Sequence, residues 1–261
     1  MNIRTVAVLK NRKVSKNYFE LVFEYDNPDA EPRPGMFFTI KIDGACGHVL
    51  RRPFAFASWD EEHGTASALI EKRGTGTQWL SGLGRGDTID ILGPLGNFFS
   101  YPERGIRPVL VAGGIGLGPM LYCANTLITR SLQGLCEAPL LIAGFRTQSL
   151  IPAMDFPLGT LLCTDDGSLG HQGTVLDCLT GLSDALPKTL YACGPSPMLA
   201  ALARYADSMQ IPYEASVEQW MACGIGACMG CAVPMCDGTY KRACADGPVF
   251  NGLTVHWEAL A

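Results

Sequence analysis

Five of the eleven cysteines in this 261-residue chain, Cys223, Cys228, Cys231, Cys236 and Cys244, crowd into the stretch after position 222. The other six, Cys46, Cys123, Cys136, Cys163, Cys178 and Cys193, are scattered and read as buried thiols. The first residues are interrupted by charges and carry no apolar signal segment, so they read as a first strand of a cytoplasmic protein. An odd cysteine total without such a signal argues against a disulfide framework. The tail is rich in Gly, Cys and Met and has little room for a core of its own, so it has to fold around something. Crowded thiols ask for a metal.

The run CGIGACMGC followed by KRAC has the form C-x4-C-x2-C-x12-C, which is the plant-type [2Fe-2S] spacing. A two-iron rhomb needs four converging thiolates. Gly224, Gly226 and Gly230 would let the backbone wrap closely and turn its N–H groups toward the sulfurs. A structural zinc site also uses four cysteines, but more often in paired C-x2-C knuckles. Spacing alone leaves Cys236 and Cys244 both open as the fourth ligand.

Ahead of this tail the chain has two textures. To about Tyr101, short runs such as TVAVL, YFELVFEY, MFFTIKI and DTIDIL alternate with Gly, Pro and Asp turns, the mark of an antiparallel barrel or sandwich. Beyond it, apolar runs such as PVLVAGG, APLLIAGF, GTLLCTDD and KTLYACGP are separated by helix-like segments, which implies a parallel sheet with covering helices. The expected division is 1–102, 103–213 and 214–261, three parts packed together without a low-complexity linker or a solenoid repeat. No charged residue occurs from Pro108 to Thr129, yet Gly113, Gly114, Gly116 and Gly118 break that stretch into strand, turn and helix start rather than a membrane span. A net charge of −5, with no basic run, sets nucleic-acid binding aside. With 48% hydrophobic and only 17% charged residues, part of the surface is expected to be covered by cofactor or partner.

Two regions suit dinucleotides. In the first texture, Arg52, Pro53 and Phe54 precede the loop KRGTGTQWLS. An arginine fork can neutralise a pyrophosphate, the N–H groups of Gly76 and Thr77 can hold phosphate oxygens, and Phe54 can pack on a ring system. The plainer reading of Arg-Pro-Phe is a strand end with one surface arginine. In the second texture, VLVAGGIGLGP supplies Gly113, Gly114 and Gly116 at a strand end, and YACGPSPM supplies Cys193, Gly194 and Pro195 at another. Asp165 and Asp166 follow GTLLCT, where they can accept from ribose hydroxyls and repel a 2′-phosphate, favouring NAD over NADP; TDDGS reads equally well as an Asx turn.

The stretches TDDGSLGHQGTV, YACGPSPM, EQWMACGIGACMGCAV and YKRACADGPVF, in that order, resemble the electron-transfer subunit family of type B dihydroorotate dehydrogenase, in the ferredoxin-reductase superfamily, over nearly the full length. The resemblance implies an antiparallel β-barrel FAD domain, a Rossmann-like parallel α/β NAD domain and a small C-terminal [2Fe-2S] module. It selects Cys244 as the fourth ligand beside Cys223, Cys228 and Cys231. It puts flavin contacts on Arg52, Pro53, Phe54, Ala55, Leu69, Ile70, Glu71, Gly76 and Thr77. The superfamily usually has Ser or Thr where Ala55 stands, with its hydroxyl near the reactive flavin nitrogen, so another group has to substitute here.

The implied partner is an FMN-containing catalytic subunit, in a heterotetramer that oxidises dihydroorotate to orotate in pyrimidine biosynthesis. Electrons would run from that FMN through the cluster to FAD and on to NAD⁺, with no catalytic side chain required. Two rivals share some of these features. One is a reductase or diaphorase subunit of a bifurcating transhydrogenase, hydrogenase or sulfite reductase. The other is a zinc-stabilised scaffold without redox chemistry.

Overall fold

The computed structural model describes residues 2–26, 30–42, 49–182 and 188–260; Cys46 lies outside them. The first seven strands are β1 (Asn2–Lys13), β2 (Tyr18–Glu24), β3 (Phe37–Lys41), β4 (Arg52–Ala55), β5 (Ser58–Asp60), β6 (Thr65–Glu71) and β7 (Thr88–Leu95). They bond in the order β4-β3-β7-β1-β2-β6-β5, every pair antiparallel. Side chains alternate between the two faces of a strand. Val6 and Val8, Phe38 and Ile40, and Ile89 and Ile91 therefore meet in one core. The two edge strands, β4 and β5, are joined by Phe56 and Ala57 alone. Phe56 N–H donates to Met36 O and Ala57 N–H to Ser67 O, which curls the sheet back on itself. A short helix, α1 (Thr75–Leu80), follows β6.

The second texture becomes β8 (Arg107–Gly113), α2 (Leu117–Leu132), β9 (Leu140–Phe145), β10 (Leu161–Thr164), β11 (His171–Gln172), α3 (Val175–Thr180), β12 (Lys188–Cys193), α4 (Ser196–Ser208) and β13 (Tyr213–Ser216). The tail adds a hairpin, β14 (Ala232–Pro234) with β15 (Tyr240–Arg242), and a last strand, β16 (Val249–Asn251). The second sheet runs β11-β10-β9-β8-β12-β13-β16, parallel except for its final pair. The charge-free stretch is β8, a tight turn and the start of α2; among the described residues no helix is long and apolar enough to cross a membrane.

The three parts share cores. Val14, Tyr18, Ala57 and Leu69 of the barrel pack with Leu117, Met120 and Leu121 of α2. The tail has a small core of Val217, Val233, Ala243, Phe250 and Val255, completed by Phe37 and Leu95 from β3 and β7. Position 213/214 falls inside β13, and β16 returns from the tail to edge the nucleotide sheet, so the tail is less separate in space than its composition suggests.

Candidate cofactor sites

The cysteine loop has neither helix nor strand from 219 to 230, and its shape is set by N–H groups turned onto sulfur. Ala227 N–H donates to Cys223 Sγ at 3.3 Å, Gly230 to Cys228 at 3.4 Å, Cys244 to Cys231 at 3.4 Å and Gly226 to Cys244 at 3.1 Å. All four sulfurs of the expected ligand set thus receive a backbone donor. The Cys223 thiol hydrogen-bonds with that of Cys228 and the Cys244 thiol with that of Cys231, and Cys223 also raises Cys244 by its charge. Two thiol pairs suit two irons.

The N–H of Ile225 above all, with the Cys228 thiol and the N–H groups of Ala227 and Cys228, holds the Cys223 thiol down at about 6. Burial, and then the Cys231 thiol, pushes Cys244 up to about 12. A bound cation deprotonates such a thiol outright. Cys236 is exposed at the turn between β14 and β15, where its thiol donates to Leu253 O at 4.0 Å. Spacing left both open; Cys244 is buried with an N–H donor on its sulfur, and Cys236 is exposed.

Sequence reasoning passed over Arg242, whose only signal was a basic residue two positions before Cys244. Its Nη1 donates to Gly226 O at 2.6 Å, while Nε and Nη2 grip the Asp246 carboxylate at 3.0 and 3.2 Å. This ties the cysteine loop to the segment carrying Cys244. Gly226 sits at φ +84°, and a Cβ there would stand 2.8 Å from Ala245 Cβ. Only glycine fits that turn without strain.

The nucleotide sheet reverses its strand order between β8 and β12, the place where such sheets open a crevice. Both Gly-rich turns lie there, since Cys193 pairs with Ala112 across the two strands. A Cβ on Gly116 would stand 2.1 Å from Cys193 O, so the turns pack backbone on backbone. Pro195 and Met198 close against Gly113. Burial pushes the Cys193 thiol up to about 12, which leaves it neutral rather than nucleophilic. Asp166 accepts from the N–H and hydroxyl of Ser168 at 3.0 and 2.6 Å, so an Asx turn is formed there, with exposed Asp165 beside it.

At the barrel, Arg51 is committed to Asp90 of β7, Nη2 to Oδ1 at 2.7 Å. Its neighbour Arg52 opens β4, where Pro53 pairs with Thr39 and Ala55 with Phe37 of β3. Phe54, half-buried, leans on the barrel core with its ring 6.3 Å from that of Phe38. Leu69 and Ile70 are buried, so a ligand beside them meets their backbone, and Glu71 pairs with Arg73. Thr77 Oγ1 accepts from Arg73 N–H at 2.9 Å and Gly74 N–H at 3.1 Å, locking the turn that presents the N–H groups of Gly76 and Thr77.

Residues 218–256 match the family model for the iron-sulfur cluster binding domain of dihydroorotate dehydrogenase B, and residues 5–100 match the oxidoreductase FAD-binding domain. A curated relative from Caldanaerobacter subterraneus subsp. tengcongensis, named as the electron transfer subunit of dihydroorotate dehydrogenase B (NAD(+)), is 36% identical over 93% of this chain and 94% of its own. One of the same name from Bacillus caldolyticus is 35% identical over 94% and 95%. Among solved structures, an NADH-dependent reduced ferredoxin-NADP oxidoreductase, studied for flavin-based electron bifurcation, superposes with a TM-score of 0.84 at 29% identity, over 98% of this chain and 91% of the other. Phthalate dioxygenase reductase shares the fold, with a TM-score of 0.63 at 16% identity over 90% and 87%.

Proposed function

The chain belongs to the family of dihydroorotate dehydrogenase B electron transfer subunits, and from that premise we propose that it carries electrons from an FMN-containing dihydroorotate dehydrogenase catalytic subunit to NAD⁺ in pyrimidine biosynthesis. The observation that carries this reading is the set of four sulfurs, each with its own N–H donor, on a chain that also has a flavin-type barrel and a nicotinamide-type crevice. When bound, FAD exchanges an electron pair with the nicotinamide and single electrons with the [2Fe-2S] cluster.

The residues bind and orient. Cys223, Cys228, Cys231 and Cys244 hold the cluster, and their N–H donors offset the thiolate charge. Arg52 and the N–H groups of Gly76 and Thr77 hold the FAD pyrophosphate, with Pro53, Phe54, Ala55 and the strand Leu69, Ile70, Glu71 beside the flavin. Gly113, Gly114 and Gly116, with Cys193, Gly194 and Pro195, let the dinucleotide approach the backbone. Asp165 and Asp166 turn away a 2′-phosphate. No side chain is assigned a proton transfer. The functional division is 1–102 for FAD, 103–213 for NAD and 214–261 for the cluster, in a cytoplasmic protein.

Exposed Trp220, Ile225 and Met229 lie on the cysteine loop, and these apolar side chains suit docking of the catalytic subunit. Combining the chain with that subunit, dihydroorotate and NAD⁺ tests the proposal. NADH should form only when both proteins are present. No NADH, with FAD and iron fully loaded, would transfer the chain to the second reading, a subunit of a bifurcating oxidoreductase, which the similarity to the ferredoxin-NADP enzyme favours. On the nucleotide side, NADH should reduce the flavin faster than NADPH; the reverse order removes the role given to Asp165 and Asp166.

A further inference from the structure

Thr39 is a hydroxyl in the wrong place for a barrel strand. It is 2% exposed, and its Oγ1 has no hydrogen-bond partner among the described residues. Buried hydroxyls are nearly always paired, so one that is not points to a group absent from the protein chain itself.

Its surroundings say which. Along β3, Phe38 and Ile40 face the barrel core, so Phe37 and Thr39 face outward. Phe37 packs in the tail core with Cys231 and Cys244. The Thr39 methyl meets Gly224, where a Cβ would stand 3.2 Å from it, and Gly224 directly follows Cys223. On the other side, Thr39 pairs with Pro53 of the proposed flavin strand β4. The Thr39 side chain, with its unpaired hydroxyl, therefore lies where the barrel wall meets the cysteine loop.

We infer that Thr39 Oγ1 donates a hydrogen bond to a sulfur at the Cys223 end of the cluster, making a barrel residue part of the cluster's electrostatic setting. The inference rests on the four-cysteine reading above. Reduction places one more negative charge on the cluster. A donor to sulfur stabilises that state and raises the reduction potential.

The test is Thr39→Val, which keeps the shape and removes the donor, with Thr39→Ser to restore it, both in the full-length chain carrying its cofactors. Redox titrations followed by electron paramagnetic resonance and flavin absorption read the two centres separately. Thr39→Val should lower the cluster potential and leave the flavin potential and iron content unchanged. It should also remove one exchangeable-proton coupling from the reduced cluster, and Thr39→Ser should return both. An unchanged cluster potential with iron retained, a shift in the flavin instead, or Thr39→Ser behaving as Thr39→Val would overturn the inference. If Thr39→Val fails to hold iron, Thr39→Cys, a weaker donor, should shift the potential the same way by less, and no shift there counts against the hydroxyl. A wild-type chain without any two-iron signal would instead sink the cluster reading itself.

Discussion

At the scale of single residues, the choice between Cys236 and Cys244 is the sharpest. Cys244 is buried, receives the Gly226 N–H and lies beside Cys231, whereas Cys236 is exposed on a hairpin turn. Cys244→Ser should therefore strip most of the iron and Cys236→Ser little, with iron counted after anaerobic purification. Iron kept in the first and lost in the second would reverse the assignment. The cysteine spacing made the site visible in the sequence. Arg242 and Thr39 were not, because one acts through a carbonyl 16 positions away and the other faces a loop from a different part of the chain. No local pattern encodes such contacts.

At the scale of elements, the longer strands were readable because alternation and turn residues are local signals; DTIDIL became part of β7, which alternates along its whole length, for that reason. The short strands β5, β11 and β14 to β16 were not, since a strand of two or three residues is defined by its partner rather than by its own pattern. Helix α3 carries a local signal that can be tested. Thr174 Oγ1 accepts from Asp177 N–H at 3.3 Å, and the Asp177 carboxylate accepts from Thr174 N–H at 2.7 Å. Thr174→Ala should destabilise the protein by about 1 kcal/mol. The Thr174 N–H first, then its hydroxyl, holds the Asp177 carboxyl below its ordinary value. A depressed carboxyl stabilises the fold fully above its unfolded pKa of about 4 and loses that contribution as pH falls through the folded value. Asp177→Asn should thus lower the urea midpoint at pH 7, and the gap should close on acidification. A gap independent of pH would mean that the carboxylate charge plays no part.

At the scale of the whole molecule, electron transfer needs the cluster held at a fixed distance from the flavin, and Asn97 is placed to do this. Its N–H donates to Gly247 O at 2.7 Å and its Nδ2 to Val249 O at 2.7 Å, while its Oδ1 accepts from Val249 N–H at 2.8 Å. These bonds join the chain just beyond β7 to Gly247 and to Val249 at the start of β16. Asn97→Leu should slow cluster reduction by NADH while FAD content and flavin reduction stay near wild type, as stopped-flow absorption would read. Equal slowing of both steps would assign Asn97 to the fold at large. The central claim is that one chain carries both a flavin and a two-iron cluster that NADH can reach. The most direct measurement is an anaerobic NADH titration of the purified protein, followed by absorption and electron paramagnetic resonance. Flavin and iron–sulfur bands should bleach together and a rhombic signal of the reduced cluster should appear; a colourless protein holding stoichiometric zinc would contradict the claim.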